Sequence, residues 1–438
     1  MNLNGKNIQF RRKTKDNPYR ALALLFLVLI SFFFLREIEK GQVQSPFLPT
    51  PIPTRTAQSY ALEGETHFQA GNLSEAIRAY QGGLNLAPSD IQLISELARI
   101  QAYSSTLLTT DEERRKRLQE ALDTINLAVN QAPDNSTVFA VQAFVLDWNA
   151  SSSVLPDQAA AFITQAEQAA VRALQLDNQN TLALAYYAEI LTDQQKWLQA
   201  EQYARQALQT DPTLMDVHRI MAYVQESLGN YGEAIREYKK AVEITPNLTF
   251  LYISIGTNYR TLKQYDLALE YYAKAATINE QLGIKDPIPY IAIGKTYSQM
   301  GEFFIASRNL QKALIFSPNS PDVYGQVGVI FFKARNYESA IPALKCAVYG
   351  CTAAESCEVR RCDTTTDPGI IISGMPLSSN TVVYYYTYGS VLAGMHRPKD
   401  TLCQDANKVL QQVHTGFASD SVILSIIKPS EEICADGG

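Results

Sequence analysis

Six cysteines are the residues best placed to do chemistry, and all of them, Cys346, Cys351, Cys357, Cys362, Cys403 and Cys434, lie in the last hundred positions. Thiols either pair oxidatively or, as thiolates, hold zinc. The first four are separated by four, five and four residues, and no C-x-x-C pair occurs. An even, clustered set without that pair reads as disulfides rather than as a metal site. Histidine offers no alternative, because His67, His218, His396 and His414 are scattered and no H-E-x-x-H is present. Gly294-Lys295-Thr296 imitates the end of a phosphate loop, yet Pro289 stands where that loop needs its first glycine. Neither G-x-S-x-G nor G-x-G-x-x-G occurs. Carboxylates are plentiful and read as solvated groups on helix faces, with nothing to drive one pKa away from another. Tyr384, Tyr385, Tyr386 and Tyr388, at helical spacing, read as core and groove wall rather than as a sugar platform. These residues predict no catalytic group, no metal and no cofactor.

The elements that must position these residues repeat along the chain. Aligned alanines at 76, 121, 166, 200, 234, 268, 306 and 340 are separated by steps of 45, 45, 34, 34, 34, 38 and 34. Twelve residues before most of them stands a second small residue: Gly64, Ala188, Ala222, Gly256, Gly294 or Gly328. Seven residues after each comes another, and five further on there is often proline, as at Pro88, Pro133, Pro212, Pro246 and Pro318. Small residues let two helices approach closely, and proline stops the second of each pair. Each unit reads as a helical hairpin.

This pattern resembles the tetratricopeptide repeat family, whose unit is 34 residues long. Met215 to Leu248 is the clearest copy, with Met221, Ala222, Ala234, Tyr238, Ala241 and Pro246 at the family's positions. The resemblance implies an all-α fold: a right-handed α-solenoid of about nine hairpins with a capping helix, preceded by one transmembrane helix. The two 45-residue copies carry their extra residues between the helices of the hairpin, where Thr110-Asp111-Glu112-Glu113 and Leu155-Pro156-Asp157 read as helix starts. Arg114-Arg115-Lys116-Arg117 then reads as a solvated face paired with neighbouring acids, rather than as a lipid contact. The rhythm breaks after Ala347 and resumes at Val382, with Gly389 and Ala406 marking a ninth copy and Ser421 to Cys434 a closing helix. If that closing helix folds back near Ala418 and Ser419, Cys403 and Cys434 come level, so a bridge between them is expected.

Ala21 to Leu35 is apolar except for Ser31, and Lys6, Arg11, Arg12, Lys13, Lys15 and Arg20 precede it. A positive flank of this kind stays cytoplasmic. Fifteen residues span only about 22 Å of a roughly 30 Å core, so Arg20 and Arg36 must reach outward. Phe32-Phe33-Phe34-Leu35-Arg36-Glu37 offers no small-x-small cleavage site, which favours an uncleaved anchor over a signal peptide. Prolines 46, 49, 51 and 53 then make an extended stalk. The expected divisions are a cytoplasmic basic tail (1–20), an anchor (21–35), a stalk (36–56), an array of about eight repeats (57–352), a cysteine-rich irregular insert (353–381), and the ninth repeat with its cap (382–438). Net charge is −6 over the whole chain. Residues 36 to 438 hold 32 cations and 43 anions, a poor match for nucleic acid.

With about 100° per helical residue, positions 2, 5, 9 and 12 of each first helix face away from the second helix and line the inner face. In the fourth and fifth copies they include Glu189, Asp216, Arg219, Tyr223 and Glu226. In the sixth to eighth they include Phe250, Ile253, Arg260, Ile288, Ile291, Lys295, Val329 and Phe332. Family members that clamp acidic carboxyl termini place lysine and asparagine at positions 5 and 9 of one first helix, and no copy here has that pair. A segment with apolar anchors and nearby acidic groups is expected between Phe250 and Phe332. The competing expectation is that these side chains fill a tightly wound superhelix against one another. Function is accordingly read as a membrane-anchored, extracytoplasmic scaffold for a protein or peptide partner, or else as a recruiting subunit of a membrane enzyme.

Overall fold

The computed structural model describes residues 17–39, 55–108, 110–363, 365–367 and 369–436. Five cations of the basic flank (Lys6, Arg11, Arg12, Lys13 and Lys15) and the stalk prolines lie outside the described residues. The chain divides into two units, one ending at Arg55 and the other beginning at Thr56.

In the first unit, α1 (Pro18–Glu39) is a 22-residue helix. Its 20-residue Pro18–Glu37 segment holds an 18-residue window of mean hydropathy 2.1, none of it buried. The candidate span is therefore longer than the fifteen apolar residues suggested. Pro18, Tyr19 and Arg20 before that stretch, and Arg36 and Glu37 after it, continue the same helix and bring it to about 30 Å at 1.5 Å per residue.

The second unit is a run of hairpins. They pair α2 (Ala57–Gln69) with α3 (Leu73–Leu86), α4 (Ile91–Ser104) with α5 (Asp111–Gln131), α6 (Ser136–Ser152) with α7 (Pro156–Leu176), and α8 (Thr181–Asp193) with α9 (Trp197–Thr210). Then follow α10 (Met215–Ser227) with α11 (Tyr231–Ile244), α12 (Thr249–Thr261) with α13 (Tyr265–Gln281), α14 (Ile288–Met300) with α15 (Phe303–Phe316), and α16 (Pro321–Lys333) with α17 (Tyr337–Val348).

All eight register alanines are fully buried at the hairpin contact. The small residue of the first helix explains how close that contact is. A Cβ added to Gly256 would meet the Tyr272 ring, and one added to Gly294 or Gly328 would meet Leu310 or Leu344, the residue at the same place in each second helix. The turn repeats too. Gly71, Gln195, Gly229, Lys263, Gly301 and Arg335 all stand at the fifteenth residue of their copy with positive φ, so three copies use glycine and three hold a larger residue in the left-handed region. Among the described residues of these eight hairpins, the two long copies lack this turn. In the first of them Thr110 and Glu113 form a capping box at the start of the lengthened α5. Within its basic quartet, Arg114 pairs with Asp111 and Arg117 with Glu120.

The expected irregular insert is more ordered than its composition indicated. The ribbon strand β1 (Gly350–Cys351) pairs antiparallel with β2 (Ile372–Ser373), and α18 (Ala353–Arg360) lies between them under a Thr352–Glu355 capping box. Bridges Cys346–Cys351 and Cys357–Cys362 each close a five-residue step, which holds so short a segment in place. The ninth hairpin is α19 (Val382–Met395) with α20 (Leu402–Gly416), and α21 (Ser421–Asp436) closes the array. Cys403 of α20 and Cys434 of α21 are bridged, with Cα atoms 5.2 Å apart.

The core falls into two main parts, one running from Phe68 to Ile255 and one from Ala276 to Cys434. A small separate group, Ala268, Tyr272, Ala292 and Ile293, joins copies six and seven.

Candidate functional site

The first helices bring the expected inner-face residues together, but in two different ways. In copies one to six the face is filled. Arg219 of α10 is buried and donates from both terminal nitrogens to the Glu189 carboxylate of α8, each at 2.7 Å. Its Nε donates to Tyr103 Oη at 3.1 Å, and the guanidinium lies 5.5 to 5.9 Å from the ring centroids of Tyr103, Phe144 and Trp148. Three residues earlier on α10, Asp216 accepts hydrogen bonds from Tyr103, from Tyr186 at 2.7 Å and from Arg99 at 3.1 Å. Phe250 of α12 stacks on Tyr103 with centroids 5.5 Å apart. Copy two therefore touches copies five and six across more than a hundred residues of chain. The turn at Gly71 shows the same closure, because a Cβ there would collide with the Asn247 carbonyl. The winding is tight enough for one turn of the superhelix to meet itself.

Three expected groove residues are corrected by this geometry. Arg219, Tyr223 and Phe250 do face inward, but they are engaged: Arg219 in the buried ion pair, Phe250 in the stack, and Tyr223 as donor to Asp193 at 2.5 Å. The reading of the carboxylates as solvated is overturned as well, since Asp147, Glu189 and Asp216 are buried. Burial pushes the Asp216 carboxyl up, but Arg99 and Arg219 outweigh it and hold it below the usual range. Burial works against both guanidiniums, and Glu96 and Asp216 around Arg99, with Glu189 at Arg219, keep them cationic. The signal that finds this network in sequence is opposite charge at inner positions of successive copies: Arg99, Glu189, Asp216 and Arg219.

From copy six onward the face is a trough. Ile253, Ile288, Ile291, Val329 and Phe332 are half-buried, as is Tyr386 at the matching place in the ninth copy, and Arg260 and Lys295 stand among them. Neither cation forms an ion pair among the described residues. Lys295 reaches water, yet desolvation by the trough walls, and then Arg260, hold its ammonium below the ordinary lysine range against the pull of Asp322. Tyr384, Tyr385 and Tyr388 are buried, and Tyr384 donates to Asp322 at 2.6 Å. Among the described residues, no group of three or more histidine, cysteine or acidic side chains is arranged to hold a metal.

A family profile for the tetratricopeptide repeat matches residues 220–248 and 251–282. The chain is similar to the BBSome complex member BBS4 of Bos taurus, 33% identical over 124 residues, which is 28% of this chain and 22% of that protein. It is similar to anaphase-promoting complex subunit 6 of Arabidopsis thaliana, 25% identical over 111 residues, 25% of this chain and 20% of that one. It thus spans about a fifth of the length of these relatives. Among solved structures, a tetratricopeptide repeat protein from Parabacteroides merdae aligns over 63% of this chain and 98% of its own, at 17% identity and a TM-score of 0.35. The matched copies share one register with the hairpins before and after them: the chain carries tetratricopeptide repeats, and the apolar helix ahead of its array is a candidate membrane anchor.

Proposed function

We propose that the protein is a membrane-tethered scaffold whose array stands outside the cytoplasm and binds a protein partner along the trough of copies six to eight. The observation that carries this reading is the contrast within one inner face. The amino-terminal copies spend their inward side chains on each other, whereas Ile253, Ile291, Arg260 and Lys295 keep accessible surface and unpaired charge. An apolar strip edged by cations suits a segment with apolar anchors and nearby acids. Relatives named as members of multiprotein complexes support a scaffold role. Placement outside the cytoplasm is supported by the three disulfides and by the positive residues ahead of α1.

Affinity capture from detergent-solubilised membranes tests the trough. Joint replacement Ile253→Glu, Ile291→Glu and Arg260→Ala should release captured partners with helical content unchanged, because these side chains are only half-buried. Undiminished capture by the folded variant would remove the trough from consideration. Topology is tested separately. Protease added to intact cells or spheroplasts should digest the array and spare the first twenty residues. An array protected until lysis would place it in the cytoplasm.

A further inference from the structure

Beside the filled face lies a cleft of about 490 Å³ that the trough does not include. Lining it are Ala159, on the part of α7 that the extra residues of copy three add, and Ile163, where an ordinary second helix would begin. Trp197, Tyr223 and Asp193 line it too. Asp193 accepts from Tyr223 Oη and from the Ser151 side chain. One helical turn before Ser151 on the same face of α6 is Asp147, 1% exposed, whose Oδ1 has no hydrogen-bond partner. A buried carboxyl oxygen left without a donor is costly, and native structures rarely tolerate it without a reason.

The charge balance supplies the reason. The carboxyls of Glu96, Asp147, Glu189, Asp193 and Asp216 share the two guanidiniums of Arg99 and Arg219. Arg219 spends both terminal nitrogens on Glu189 and Arg99 divides its own between Glu96 and Asp216, so among the described residues neither guanidinium donates to Asp193 or Asp147, although the charge of Arg219 acts on both. We propose that the cleft binds an organic cation, the ammonium or guanidinium end of a short aliphatic chain, with its charge at Asp193 and its stem against Trp197, Tyr223 and Ile163. Aromatic faces and an apolar wall suit such a group, and a volume of this order accommodates it. A metal ion is the poorer fit, since the described residues offer no set of three metal-ligating side chains here.

A proton competes with that cation. Burial, then Glu189, raises the Asp193 carboxyl to about 6 against the hydrogen bond from Tyr223 and the charge of Arg219. Asp147 is pushed well up by burial, then by Asp193 and Glu189. These groups come from α6, α8 and α10, while the cleft residues of α7 and α9 bring none that titrates. Below the Asp193 pKa the proton holds the site, and above it the carboxylate is free to take the ligand. Affinity should therefore rise about tenfold from pH 5 to pH 7.

The test titrates the full chain in detergent with pentylamine, N-acetyl-lysine methylamide and the uncharged N-acetyl-norleucine methylamide, read by tryptophan fluorescence. Both cationic probes should give a saturable change at pH 7 that weakens about tenfold at pH 5 and is lost in Trp197→Phe. The uncharged analogue should give none, and Asp193→Asn should weaken the cations at least tenfold. Tighter binding of the lysine amide than of pentylamine assigns the site to a partner's basic side chain, and equal binding assigns it to a free amine; either result supports the cleft. Equal binding of the uncharged analogue by the wild type, a flat pH profile, or full affinity in a folded Asp193→Asn protein would overturn it.

Discussion

Arg219→Met is expected to destabilise the array by about 3–5 kcal/mol, the usual cost of stranding one partner of a buried ion pair. The substitution keeps most of the side-chain volume, so cavity formation is a minor part of the loss. What it removes is the positive charge beside Glu189, Asp216 and the Tyr103 hydroxyl, all buried. A second variant separates charge from packing. Arg219→Met with Glu189→Leu leaves no uncompensated carboxylate at that contact and should recover most of the stability, because replacing both partners by apolar groups is often close to neutral. Denaturant unfolding of the full chain in detergent, followed by circular dichroism, measures both. A single-variant loss below about 1 kcal/mol would mean that the pair is solvated and the inner face open.

Loss of the Cys403–Cys434 bridge should cost about 4 kcal/mol, against about 2 for either five-residue bridge, because cross-link stabilisation grows with the loop it closes and this loop is 31 residues. The effect should also be local. In Cys403→Ala with Cys434→Ala, hydrogen exchange should speed up across α20 and α21, the last hairpin having no further neighbour, while amides of α2 to α10 keep their protection. Recovery of Cys403 and Cys434 as free thiols from unreduced, alkylated protein would refute the bridge.

The hairpins were legible because hairpin packing is local. Ala76, Ala200, Ala268 and Ala340 face a partner helix a fixed distance away in sequence, so spacing alone finds the contact and the steric need for a small side chain. Lys263 and Arg335 show the limit of residue type, since they occupy the left-handed turn position that glycine fills elsewhere, and only the register marks it. The state of the inner face was not legible. Phe250 and Ile253 lie less than one turn apart on α12, and one stacks on Tyr103 while the other borders the trough. The difference depends on how far the superhelix has wound by that copy, an angle summed over every earlier hairpin contact. Asp216 and Arg219 look like surface charges for the same reason, because Arg99, a partner of the first, stands 117 residues away.

The contact of copy two with copies five and six bears on how such a chain can change over evolutionary time. Repeat arrays ordinarily gain or lose whole units, since each unit knows only its immediate neighbours. Here Tyr103, Tyr186, Asp216 and Phe250 come from four different copies and meet at one place. Deleting or duplicating a copy between the second and the sixth would move at least one of them off that meeting point. Those copies are bound to one another as the parts of an ordinary globular domain are, and unit-by-unit drift in length is left to the hairpins beyond them.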